Sequence, residues 1–172
     1  MNKNVKRDLV LPKELFQLLE DDVDLYKDLL GLLGRERECL YSLSVEDLCS
    51  ITKAKETEIL KIKVLEETMR DMTGALLRAK VGPDEELSLS ALAKVANVNH
   101  AKMLKGYLSI LTRLKMSIEE ENKYNKRFVE ESLEYVEDAI SIFVPRQNSP
   151  FYTPQGKNGR CSCSPAVVSR EV

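Results

Sequence analysis

The stretch NHAKMLKGYLSILTRLKMSIEEENKYNKRFVEESLEYVEDAISIF, residues 99–143, decides the fold of this chain. It carries apolar residues at helical spacing with no proline and no pair of glycines to break the run. Read as heptads, the stripe is Leu104, Leu108, Leu111, Lys115, Ile118, Asn122, Asn125, Val129, Ser132, Val136, Ala139 and Phe143, flanked by Tyr107, Leu114, Phe128, Leu133 and Ile140. At about 1.5 Å per residue this predicts one helix on the order of 65 Å long. The middle of the stripe is polar where a simple core would be apolar. Two readings of Asn122 and Asn125 stand side by side: buried asparagines that fix helix register at a cost in stability, or a face reserved for a partner helix.

Working outward, residues upstream of the stripe read as a helical hairpin. Pro12 suits the first turn of a helix, where its missing N–H would be unpaired anyway. The helix to about Tyr41 has a wide apolar face, from Leu15, Phe16, Leu18, Leu19 and Val23 to Leu33 and Leu40, that calls for two neighbours. Glu14, Glu20, Asp21, Asp24 and Asp28 make its solvated side. Ser44 with Asp47 approximates a capping box, and Leu48, Ile51, Lys55, Glu58, Ile62, Leu65, Met69, Met72 and Leu76 give the next helix, to Lys80, a narrower seam. The link is short, which forces the two helices antiparallel. Val81-Gly82-Pro83-Asp84 stops the second helix. A short helix from Leu87 or Ser88 to Val95 follows, capped by Ser88 or Ser90. Pro145 ends the long helix, and residues 145–172, rich in proline, glycine and serine, have no apolar period.

The fold expected is therefore all-α, an elongated antiparallel bundle of three long helices (about 12–41, 45–80 and 99–143) with a connector helix at about 88–95. The domain expected is 1–144, followed by a flexible tail, 145–172. A chain of 172 residues buries roughly 70% of its unfolded surface as a single domain. If the long helix runs antiparallel to the second, it draws level with Val45 near Tyr135, and Val136, Ala139, Ile140, Ile142 and Phe143 overhang as an apolar surface of the kind that binds partners.

Composition bounds the chemistry. With 26 Lys plus Arg against 28 Asp plus Glu, the formal charge of −2 offers no field for phosphate backbones or anionic lipid. No segment approaches the roughly 18 uncharged apolar residues of a membrane span, and Met1 to Leu11 lacks a signal-peptide run, so a reducing cytoplasm is the expected location. There the four cysteines are no disulfide framework. Cys39 and Cys49 read as small buried or half-buried side chains; Cys161 and Cys163 supply two thiolates, too few for a tetrahedral metal site, and His100 is the single histidine. One histidine cannot build a di-iron bundle site, and there is no phosphate-cradling glycine loop. No catalytic residue, metal or cofactor is expected. Residues Ser90 to Met103 have the outline of a helix-turn-helix, with Ala93 inside, Asn97 at the turn and Asn99, His100, Lys102 and Lys105 beyond it. Against DNA binding stand the acidic balance and a second helix some 40 residues long.

The combination resembles the FlgN family of flagellar export chaperones. The resemblance rests on the leucine-rich first helix, on Leu87-Ser-Leu-Ser-Ala-Leu-Ala93, on Asn122-Lys-Tyr-Asn125-Lys-Arg-Phe-Val-Glu-Glu-Ser132-Leu133-Glu-Tyr135-Val136, and on Tyr152-Thr-Pro-Gln-Gly156-Lys157, in that order. The segment 159–172, with its Cys-Ser-Cys, has no counterpart. The resemblance implies a cytoplasmic type III export chaperone that holds the amphipathic terminal helix of hook-associated (hook-filament junction) proteins, prevents premature assembly and delivers them to the export gate. The client surface it implies is Asn122, Asn125, Phe128, Val129, Ser132, Leu133, Val136, Ile140 and Phe143; Tyr152, with Gly156, would dock at the flagellar export gate. It implies no nucleic acid, no membrane insertion and at most weak self-association. The alternative from the residues alone is a structural coiled-coil scaffold that oligomerises through the apolar end of the long helix.

Overall fold

The structure is a computed structural model, and it describes residues 9–80 and 88–143. Four helices follow one another: α1 (Lys13–Ser42), α2 (Val45–Lys80), α3 (Leu89–Val95) and α4 (Val98–Phe143). Each lies within about two residues of its expected position, because each end has a local chemical cause. Pro12 stands at the N-cap of α1 in extended conformation, rather than inside the first turn. Ser88, not Ser90, caps α3, its hydroxyl accepting from Ala91 N–H at 3.1 Å. The Asn97 side chain accepts from His100 N–H at 2.8 Å and so starts α4. Ser44 differs from the expected box: its hydroxyl donates to the Asp47 carboxylate at 2.6 Å.

The turn between α1 and α2 is tight. Leu43 takes a left-handed conformation at φ 56°, and its N–H and that of Ser44 return to the Cys39 carbonyl. Leucine carries a steric cost there that glycine would not. The turn folds α2 back along α1.

The chain divides into two compact units, Met1–Glu130 and Glu131–Val172. In the first unit α4 runs alongside α1 in the same direction: Tyr107 reaches Glu20, Arg37 reaches Glu121 and Tyr41 meets Tyr124. It therefore opposes α2. The core is a column of side chains at three- and four-residue spacing, Leu15, Leu19, Val23, Tyr26, Leu29 and Leu33 in α1, against Ile62, Met69 and Leu77 in α2. α4 contributes Leu104, Leu111, Ile118 and Asn125, one residue every seven, which is the heptad seam of the long stripe. Fully burying a leucine side chain contributes about 2 kcal/mol. α2 departs from its expected narrow seam over its last turns, where Thr73, Gly74 and Leu77 are buried beside Leu76.

One end of this unit is closed by contacts no helical periodicity announces. Leu9 pairs with Ala96 in a single parallel bridge, its N–H on the Val95 carbonyl at 3.3 Å and its carbonyl accepting from Asn97 at 2.9 Å. Leu11 N–H donates to His100 Nδ1 at 2.9 Å, and the His100 ring stands edge-on to Phe16 with centroids 5.2 Å apart. His100 thus presents Nδ1 as an acceptor and carries its proton on Nε2. Ala93 lies in the same core at 7% exposure. Of the residues that outline a helix-turn-helix, Ala93, Asn97 and His100 are spent here on packing and capping, while Asn99, Lys102 and Lys105 are exposed. Cys39 is half-buried, but Cys49 is exposed, a correction to its expected burial; Leu48 beside it faces inward and turns residue 49 to solvent.

In the second unit the described residues are 131–143, the last turns of α4. Leu133, Val136, Ile140 and Phe143 follow one another at spacings of three, four and three, and so share one face of the helix. All four are more than half exposed, Phe143 at 83%.

Candidate functional site

The residues singled out on α4 fall into two groups. In the first unit, Asn122, Asn125 and Val129 line a groove of about 480 Å³ whose opposite walls are Glu36 and Leu40 of α1 and Leu48, Thr52 and Lys55 of α2. Leu40 and Leu48, on either side of the hairpin turn, both line the groove. Tyr41 stacks edge-on against Phe128 at 5.1 Å and shares a hydrogen bond with the Tyr124 hydroxyl, which raises the Tyr41 phenol above its ordinary value. Arg37 reaches Glu121 at 2.9 Å and lies 5.8 Å over the Tyr124 ring.

Asn125 has the clearest structural task. It is 4% exposed, and its amide donates to the Leu33 carbonyl and to the Glu36 carboxylate, each at 3.0 Å. Glu36 in turn takes the Lys55 ammonium. These bonds align all three long helices at one level, the register role that a seam asparagine performs. Asn125 Oδ1 is buried with no protein partner among the described residues, and the residue is one of those that line the groove. Its nitrogen holds the bundle, which is the register reading of the polar middle. Asn122 is exposed and Val129 is 47% exposed.

In the second unit, Leu133, Val136, Ile140 and Phe143 form the exposed apolar stripe described above, and Ser132 is half-buried. Tyr152, Gly156, Cys161 and Cys163 lie outside the described residues.

Sequence reasoning placed the hairpin turn but missed that residues flanking it line the groove. Tyr41, Leu43 and Val45 are all exposed, Leu43 at 81%, and Leu40 and Leu48 line the groove. The signal was present in Leu40-Tyr-Ser-Leu-Ser-Val45, a turn more apolar than a turn requires. Among the described residues no three histidine, cysteine or acidic side chains come together as a metal site, and no helix is long and apolar enough to cross a membrane.

A family model described as FlgN protein matches residues 9–160, nearly the whole of the chain, from the Leu9 bridge through all four helices. The chain belongs to the FlgN family. That places it among flagellar export chaperones. No curated protein and no solved structure matches it significantly.

Proposed function

We propose that this FlgN-family protein binds the amphipathic terminal helix of hook-associated flagellar proteins in the cytoplasm, keeps them from assembling early and hands them to the type III export gate. The client surface is Asn122, Asn125, Phe128, Val129, Ser132, Leu133, Val136, Ile140 and Phe143. The observation that carries this reading is the stripe Leu133, Val136, Ile140 and Phe143, apolar side chains on one helical face and all more than half exposed. Such a face costs solubility unless a partner covers it. An amphipathic client helix would set its own i, i+3, i+4, i+7 residues against it. Asn125 takes part as a buried member of the groove wall, its amide nitrogen being committed to Leu33 and Glu36.

Release needs no catalysis by this chain. Capture or unfolding of the client at the gate has only to outcompete the helix contact, and Tyr152, with Gly156, is assigned the gate contact. A pull-down from flagellated cells with wild-type protein and with Val136→Asp tests the client surface. Hook-associated proteins should elute with the wild type and be lost from the variant; their absence from both eluates, or equal recovery in both, overturns the reading. Tyr152→Ala should impair motility while client capture persists.

The same exposed stripe also suits a scaffold that self-associates. Sedimentation decides between the two: a scaffold forms a tight dimer that Val136→Asp breaks, whereas a chaperone stays monomeric at micromolar concentration and forms a complex only with client.

A further inference from the structure

The last turns of α4 join their apolar stripe to an unbalanced charge. Residues 131–143 hold Glu131, Glu134, Glu137 and Asp138 and no lysine, arginine or histidine, although the whole chain carries 26 basic against 28 acidic residues. Glu134, Glu137 and Asp138 are exposed and make no ion pair among the described residues. Earlier on the same helix Glu130 does have a partner, Lys126 at 3.7 Å. The last turn of α4 has no basic side chain, so the partial negative charge of the helix C-terminus adds to that of the acids.

The placement of these charges is not even. Glu137 follows Leu133 by four residues and precedes Ile140 by three, so it borders the stripe, and Glu134 stands one step further round on the same side. The other border is small: Ser132 and Ala139 flank Val136, four residues before it and three after. One edge of the stripe is therefore acidic, and the other lets a neighbouring helix come close. A second copy of this chain would bring another set of acids onto the first, which like-charge repulsion opposes. Residues 145–172 are basic, with Arg146, Lys157, Arg160 and Arg170 against Glu171, but they hold prolines at 145, 150, 154 and 165. They have no four aliphatic or aromatic residues at the spacing of the stripe, so they offer no matching helical face.

We propose, resting on the client surface assigned above, that the partner taken by this end of α4 is a basic amphipathic helix. Its apolar face covers Leu133, Val136, Ile140 and Phe143, and lysine or arginine runs along the border that meets Glu134 and Glu137. The acids then do two things. They attract a basic helix from a distance, and they reject an acidic helix with the same apolar face. Affinity comes from the stripe, and selection among amphipathic helices comes from its border.

The test uses three synthetic helical peptides that share one leucine face and carry lysine, glutamine or glutamate at every position bordering it. Each is titrated by calorimetry into the full chain at low and at high sodium chloride. The lysine peptide should bind about tenfold tighter than the glutamine peptide at low salt, the glutamate peptide should bind most weakly, and high salt should narrow the spread. The double variant Glu134→Lys, Glu137→Lys should invert the order. Both positions are exposed and lie towards the helix C-terminus, where a basic residue is favoured, so folding is retained. Ile140→Asn, which leaves the charge unchanged, should weaken all three peptides alike. If no peptide binds, or if Ile140→Asn changes nothing, the stripe takes no amphipathic helix, and the client surface falls together with this proposal. If the three bind equally and the double variant behaves as wild type, the client surface stands and the basic partner is refuted. A dimer in sedimentation that the peptides do not dissociate assigns the stripe to a second copy. A synthetic peptide of residues 145–172 that displaces the lysine peptide assigns it to the chain's own tail, and either result overturns the proposal.

Discussion

The three long helices of the first unit are crossed by two polar layers, each drawing a charged or amide side chain from every helix. In the layer at the hairpin turn, Glu36 of α1, Lys55 of α2 and Asn125 of α4 meet in one network: Lys55 pairs with Glu36, and the Asn125 amide donates to Glu36 and to the Leu33 carbonyl. In the layer nearer α3, Tyr26, Glu66 and Lys115 form an equivalent network, but a fourth group, Asp22, is buried beside it without a donor for Oδ1. The first layer matches its single negative charge with a single positive one; the second holds the buried Asp22 beside a half-exposed Glu66, and its Lys115 ammonium is bonded to Glu66, on which the Arg70 charge also acts. Within the second layer the two carboxylates are driven in opposite directions. Burial alone would raise Glu66, yet hydrogen bonds from Lys115 and Tyr26 bring it below its ordinary value, whereas burial and the Glu66 charge drive Asp22 up from 3.8 to about 6. A polar layer aligns helices at little cost only when each of its members is partnered.

The largest expected effect comes from breaking the matched layer. Glu36→Ala leaves Lys55 without its carboxylate at 17% side-chain exposure and removes one acceptor of the Asn125 amide. The expected loss is about 3 kcal/mol of unfolding free energy, in the range for uncoupling a largely buried ion pair. Urea denaturation of the variant measures it directly. A loss under about 1 kcal/mol would mean that Lys55 reaches water without difficulty and that the layer sets alignment without contributing stability.

Repairing the unmatched layer should have the opposite sign. Asp22→Asn removes the buried charge and should stabilise the protein by about 2 kcal/mol at pH 7.5, the order of a two-unit pKa shift. Because the folded-state value of Asp22 lies above its ordinary 3.8, the native state binds that proton more tightly than the unfolded chain does. Stability contributed by protonation is therefore gained as pH falls from above 6 towards 4 and is absent at neutral pH. Glu66, held below its ordinary 4.5, acts in the other direction, but only below that value. The wild-type thermal midpoint should consequently rise between pH 7.5 and 5, and Asp22→Asn should flatten that rise. A wild-type midpoint that falls steadily over this interval would show that Asp22 is not the group in control.

The contrast between layers also marks where the sequence was legible. Helix number, order and limits follow from local causes, Pro12, Ser88, Asn97 and the seven-residue recurrence of Leu104, Leu111, Ile118 and Asn125, and such causes are written in the chain. Asn125 could be flagged as a seam asparagine for the same reason. Asp22 was hidden by its company: Asp21 and Asp24 are solvated, and a run of acids reads as surface. Its position was nonetheless visible, because Leu15, Leu19, Asp22, Tyr26, Leu29 and Leu33 keep the four-and-three spacing of the buried seam. The Leu9 to Ala96 bridge and the acceptance by His100 of the Leu11 N–H had no such signal, since pairs 87 and 89 residues apart leave no periodicity. On α4 the apolar stripe from Leu133 to Phe143 was legible as a pattern, and its exposure was expected from the lengths of the helices.

Thr73→Val gives the smallest expected effect and the finest test of how the unmatched layer fails. Thr73 is 2% exposed and its hydroxyl oxygen is unpartnered, so a valine of nearly the same shape removes a desolvated polar atom without opening a hole. The threonine hydroxyl elsewhere in α2 behaves differently: Thr52, Thr57 and Thr68 each donate to the carbonyl four residues earlier. Valine at 73 should therefore stabilise the protein by about 0.5 kcal/mol, whereas valine at exposed Thr57 should be neutral or slightly unfavourable for helix. Differential scanning calorimetry of the two variants against the wild type resolves this. Should Thr73→Val instead destabilise by more than about 1 kcal/mol, its hydroxyl must be bonded in solution, through water, and the orphan count of this layer falls to Asp22 alone.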